Sequence, residues 1–150
     1  MLRSRWCQGP AGDSLGERAA AKDADDSGTS GRRSGPLIVS VTDFTSDAYR
    51  DLPGITRHGL ALRRHWPQLE GAVGMWLWVA PWARRCGSVS VWTGRRALGE
   101  FVRLPEHVAI MDKYRERGTI RSVIQEHETF DAARIRRAAE AWLMSDDRSP

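Results

Sequence analysis

The sequence holds only two cysteines, Cys7 and Cys86, in 150 residues. That is too few for a disulfide framework, and the absence of any CxxC pair removes the usual basis for a cysteine metal site or thiol-redox motif. Lysine is nearly missing: only Lys22 and Lys113 of the 23 basic residues are lysine, an arginine skew that resembles the codon bias of a GC-rich genome. Long apolar runs are missing too. The longest, GAVGMWLWVAP, is about half of what a bilayer-spanning helix requires, and no apolar h-region follows the N-terminal basic residues. The chain is therefore expected to be soluble and cytoplasmic, with no membrane partner. There is no Gly-rich phosphate loop and no Ser/His/Asp arrangement, which leaves nucleotide hydrolysis and acyl transfer without support. No internal repeat occurs at solenoid periods.

What is present fits one domain. The hydrophobic fraction is 41% and the net charge is +4, spread along the chain rather than gathered in a block. A balance this mild reads as a solvated surface and not as a nucleic-acid footprint. Residues 1–35 are rich in Gly, Ser, Ala, Asp and Arg and poor in large apolar groups, so they are expected to be a disordered tail. From Pro36 the character changes, and residues 36–145 form the expected domain.

In LIVSVTDF, Leu37, Val39 and Val41 alternate with Ile38, Ser40, Thr42 and Phe44, the period of a strand. Pro53 suits a first helical position, and Ile55, His58, Gly59, Leu62, His65 and Trp66 follow at helical spacing. GAVGMWLWV and CGSVSVWT read as a hairpin with both faces covered. A helix follows with Ala97, Leu98, Phe101 and Val102 inward, and Pro105 restarts it. The restarted segment sets His107, Ile110, Met111 and Tyr114 on one stripe, and Gly118 is placed to close it. TIRSVIQEHE is a fourth strand and DAARIRRAAEAWL a last amphipathic helix. The order βαββαβ is the ferredoxin-like α+β pattern, here with an extra C-terminal helix. Two helices over four strands leave one sheet face bare and apolar, and such a face implies a homodimer with the two sheets packed face to face.

SVSVWTGRRALGEFV followed by EHVAIMDKY resembles the dimeric α/β barrels related to antibiotic biosynthesis monooxygenases, and more closely their spheroidene monooxygenase-like branch. Ser90, Val91, Trp92, Phe101 and His107 stand where that branch has a Ser-x-Trp-like strand end, an inward Phe and a histidine opening the next turn. LPGITRHGL and GAVGMWLWV fit more loosely, and the resemblance spans residues 36–130. It implies a monooxygenase-like oxidoreductase acting on a small conjugated or aromatic molecule, either without a cofactor or with haem. The alternative it leaves open is a catalytically silent module that binds a small ligand or haem.

Among individual residues, His107 is the candidate catalytic group, as base or axial ligand, because neutral imidazole titrates near working pH. The competing reading gives it a core hydrogen bond to organise. Trp76, Trp78 and Trp92 are candidate pocket walls or dimer-core packing, with Trp92 and Trp76 preferred as walls, Ser90 as a polar anchor, and Phe101 and His58 beside the substrate. His58 and His65 are seven apart, without the spacing of about four that a helical zinc pair uses, so no metal is expected. His127, between Glu126 and Glu128, reads as an exposed polar face. The arginines of Arg84–Arg85, Arg95–Arg96 and RIRR (Arg134, Arg136, Arg137) read as solvated surface. CGSVSVWT lacks the aromatic order of RNA-binding sheets, so no nucleic-acid partner is expected.

Overall fold

A computed structural model describes residues 1–13, 15 and 35–145. Two short strands, β1 (Leu2–Arg3) and β2 (Cys7–Gln8), precede β3 (Leu37–Ser46), helix α1 (Leu52–Arg63), the hairpin β4 (Ala72–Ala80) and β5 (Arg85–Trp92), helices α2 (Arg95–Val102) and α3 (Pro105–Tyr114), β6 (Gly118–His127) and α4 (Ala132–Met144). The sheet runs β4–β5–β3–β6 with every neighbour antiparallel, which is the ferredoxin-like α+β order.

The alternation in β3 sorts the two faces. Leu37, Val39 and Val41 enter one core, and Ile38 enters the other. Cross-strand partners share a face, so Ser40 pairs with Ser90 and Thr42 with Ser88 on the Ile38 side. That side carries α1, α2 and α3. Pro105 divides α2 from α3 because Leu104, with ψ 134°, is held extended ahead of the ring.

The opposite side is not bare. Ile135, Ala139 and Leu143 of α4 recur every fourth residue and are 1%, 0% and 4% exposed against the core of β3, β4 and β5. The surface expected to seat a second copy is thus covered by the chain's own last helix, and face-to-face packing of two sheets loses the surface it needed. Asp131 caps α4, accepting from the Arg134 backbone N–H at 2.9 Å. That bond holds its carboxyl below the usual range.

The expected tail is also corrected in part. Leu2 and Arg3 pair with Val79 and Trp78, and Cys7 and Gln8 with Met75 and Gly74, closing the outer edge of β4. Ser4 N–H and Gly9 N–H donate to the Leu77 and Val73 carbonyls at 2.9 and 3.0 Å. Trp6 lies over Gly74, where any Cβ would collide with its ring, and packs 5.6 Å from Trp76. An unpaired strand edge is a template for unwanted pairing, and this segment occupies it. The rest of the expected tail, residue 14 and residues 16–34, lies outside the described residues.

Gly118 does not close α3. It opens β6, and a side chain there would strike the Thr45 carbonyl and the Phe44 ring. Close packing of β6 on β3 explains the glycine.

Candidate active site

Between the sheet and α1–α3 lies a cavity of about 200 Å³. Its floor carries hydroxyls from adjacent strands: Ser40 and Thr42 from β3, Ser88 and Ser90 from β5. Thr42 Oγ1 and Ser88 Oγ are hydrogen-bonded at 3.0 Å. Helix α1 contributes Ile55, Gly59, Leu62 and Arg63 to the walls, and α3 contributes His107, Ile110, Met111 and Tyr114. The α3 stripe read from spacing is therefore a wall of the cavity. Phe101, Leu98, Trp66, Met75 and Leu77 complete a largely apolar enclosure.

His107 joins the two readings offered for it. Its Nδ1 lies 3.1 Å from the Val102 carbonyl. A carbonyl only accepts, so Nδ1 carries the proton, and Nε2 keeps a free lone pair. The bond ties α3 to the end of α2, and the Phe101 ring lies 5.0 Å away. Burial pushes the imidazole pKa below its ordinary value, against the Val102 bond that raises it. A half-buried neutral imidazole with an unprotonated Nε2 is a base available at neutral pH.

Ser90, 4% exposed, also lies in the wall. Its Oγ accepts from Trp92 Nε1 at 3.0 Å, and its own O–H has only a 3.5 Å contact with the Ser40 carbonyl. The hydroxyl hydrogen is consequently available to a bound molecule. Phe101 is a wall residue as expected.

Three expected site residues lie elsewhere. Trp92 is 0% exposed and stands behind the wall, packed 4.7 Å from Trp66 and 5.1 Å from Phe101, and its indole N–H donates to Ser90. Trp76 is on the α4 side. It pairs with Val89, whereas Trp92 shares the face of Ser88 and Ser90. Parity within each strand was right, but the register between strands sends the rings to opposite sides. His58 is outside the wall: its Nδ1–H donates within α1 to the Gly54 carbonyl at 2.7 Å, and the Tyr114 hydroxyl oxygen lies 3.2 Å from the same nitrogen. His58 thus supports Tyr114, which does line the cavity.

Cys86 lies in the wall as well. Burial first, and the Asp43 charge second, push its thiol up to about 11. It stays protonated at neutral pH and is a poor nucleophile. Among the described residues no three of His, Cys, Asp and Glu converge as a metal site would need, and no helix is long and apolar enough to cross a membrane. Sequence reasoning missed Trp66 and Arg63. Trp66 is 0% exposed with an indole N–H that has no partner among the described residues, and its signal is its place at the end of the α1 stripe.

No family model matches the chain, and no curated protein matches it. Solved structures do. A conserved protein from Methanosarcina mazei aligns with a TM-score of 0.55 at 12% identity, covering 63% of this chain and 96% of that one. A protein from Nitrosomonas europaea described as "Putative antibiotic biosynthesis monooxygenase" aligns with a TM-score of 0.55 at 8% identity, over 61% and 90%. A protein from Shewanella oneidensis aligns with a TM-score of 0.56 at 16% identity, over 62% and 92%. The chain has the ferredoxin-like α+β fold of structures that include this antibiotic biosynthesis monooxygenase-like protein, and the likeness is one of fold.

Proposed function

We propose that the protein is a monooxygenase-like oxidoreductase that oxidises a small conjugated or aromatic molecule in the cavity between the sheet and α1–α3. The observation that carries this reading is His107: a neutral imidazole in the cavity wall, its Nδ1–H engaged by Val102 and its Nε2 therefore unprotonated. The fold relative from Nitrosomonas europaea supports the same reaction class by its printed name.

The chemistry follows from that base and from dioxygen as the oxidant. His107 Nε2 removes the proton of a phenolic hydroxyl of the substrate, and the apolar walls keep water from the conjugated anion. The anion passes an electron to dioxygen and the two radicals combine. Loss of water from the resulting hydroperoxide then leaves one oxygen atom in the substrate as a quinone carbonyl and the other in the water, whose two hydrogens come from the substrate hydroxyl and the oxygenated ring carbon. Ser90 donates to the substrate oxygen that bears the anion's charge.

A cofactor-independent reaction fits this cavity better than haem. Sites for drug-sized ligands run roughly 300–1,000 Å³, and a porphyrin is at least that large, while this cavity is about 200 Å³. Haemin is expected to show the same spectrum with and without the protein.

Oxygen uptake on small phenols and quinols, corrected for autoxidation, tests the proposal beside thermal shift with the same compounds. Uptake lost in His107→Ala with the thermal shift retained supports it. Stabilisation by these compounds without oxygen uptake would replace it with the silent ligand-binding module.

A further inference from the structure

The charge lining the cavity is of one sign. Arg63 and Arg115 are in the wall beside the neutral His107, and among the described residues no aspartate or glutamate lines it. Arg115, at the end of α3, has a carboxylate partner, Asp112 at 3.4 Å. Arg63, the last residue of α1, has none. Among the described residues it makes no ion pair and no side-chain hydrogen bond, although it is half-buried beside Leu62 and Trp66. A guanidinium withdrawn partly from water without a counter-charge is an uncompensated cost in the empty protein. It becomes favourable when an anion completes it.

Position adds to charge. Tyr114 meets His58 and Gly54 toward the start of α1. At the other end, Trp66 packs 5.6 Å from Phe101, and Phe101 lies 5.0 Å from His107. Arg63 leads directly into the turn that carries Trp66, so it and His107 share that end of the cavity. An aromatic ring seated by Phe101 and Trp66 would bring a substituent to Arg63.

We infer that the cavity takes a small conjugated carboxylic acid of one or two rings, its carboxylate paired with Arg63. The inference rests on the reading of this cavity as the substrate site and narrows the substrate from any conjugated molecule to an anionic one. Guanidinium and carboxylate match in fork geometry, which a neutral isostere cannot reproduce. The size limit follows from the volume of about 200 Å³, below the range of drug-sized sites.

Calorimetric titration of the full chain with salicylate and 1-hydroxy-2-naphthoate, each beside its carboxamide, tests this. The acid is expected to bind roughly ten- to a hundredfold tighter than its amide. Arg63→Gln should erase that preference, with an unchanged circular dichroism spectrum to verify its fold. Arg63→Lys should retain part of the preference, and Arg115→Gln nearly all of it. Equal binding of acid and amide, an unchanged preference in Arg63→Gln, or no binding of either acid at millimolar concentration overturns the inference. Oxygen uptake separates it from the parent reading: acid preference without uptake leaves Arg63 standing and removes the oxygenase, whereas uptake on neutral phenols without acid preference does the reverse.

Discussion

Replacing Asp43 by asparagine is expected to loosen α4 and lower the stability of the whole chain. Asp43 is 2% exposed and lies on the α4 side of β3. Arg85 donates to both of its oxygens at 3.0 and 2.6 Å, and Arg121 donates to Oδ2 at 2.7 Å. The same guanidiniums reach the Leu143 carbonyl at 2.7 and 3.2 Å, and Arg121 also reaches the Ser145 carbonyl at 3.1 Å. One buried carboxylate thus holds two cations over the end of α4, where unpaired carbonyls and the helix dipole favour positive charge. The amide keeps the shape but leaves the two cations facing each other without a counter-charge. Breaking a buried pair costs about 3–5 kcal/mol. The arginine side chains are 21% and 27% exposed, so water screens part of the loss and about 3 kcal/mol is the appropriate figure. For a chain of this size each kcal/mol moves Tm by about 2–4 °C, giving a drop of about 6–12 °C. Circular dichroism melting at neutral pH measures it, and amide exchange should show α4 losing more protection than β5. A drop below about 2 °C, or unchanged protection of α4, would refute the clamp.

His107 should make stability fall with acid. Its folded pKa lies below the ordinary 6.5, so below that pH the unfolded chain binds a proton that the folded chain resists. Its contribution is complete above pH 6.5 and declines as pH falls through and below that value; denaturant titrations should show this slope reduced in His107→Asn. Gly74→Ala should displace Trp6, whose ring covers the glycine, at about 1–3 kcal/mol of overpacking. Limited proteolysis should then cut within residues 1–13, while cavity ligands bind as before.

The legibility of the fold followed the strength of each local period. The alternation from Leu37 to Phe44 and the stripe His107, Ile110, Met111, Tyr114 appear in the structure as written, because each places side chains by its own geometry. Trp76 and Trp92 were misassigned to one wall because strand parity says nothing of cross-strand register, which is set by pairing and shifts between Ala72 and Gly74. β1 and β2 have two residues each, below any detectable alternation, and are held by an edge and by the Trp6–Gly74 contact. The α4 stripe was visible, but only tertiary packing tells which face it covers. Nothing in the sequence marks Arg63, because what distinguishes it is the lack of an ion pair among the described residues at a place in the cavity wall.

The most direct test of the central claim is to follow the indole N–H signals of nitrogen-labelled protein during titration with 1-hydroxy-2-naphthoate. Trp66 lines the cavity and Trp92 stands behind Ser90, while Trp76 and Trp142 belong to the α4 side. The signals of Trp66 and Trp92 are predicted to shift and those of Trp76 and Trp142 to stay. Shifts confined to Trp76 and Trp142 would place binding on the other side of the sheet and contradict the site.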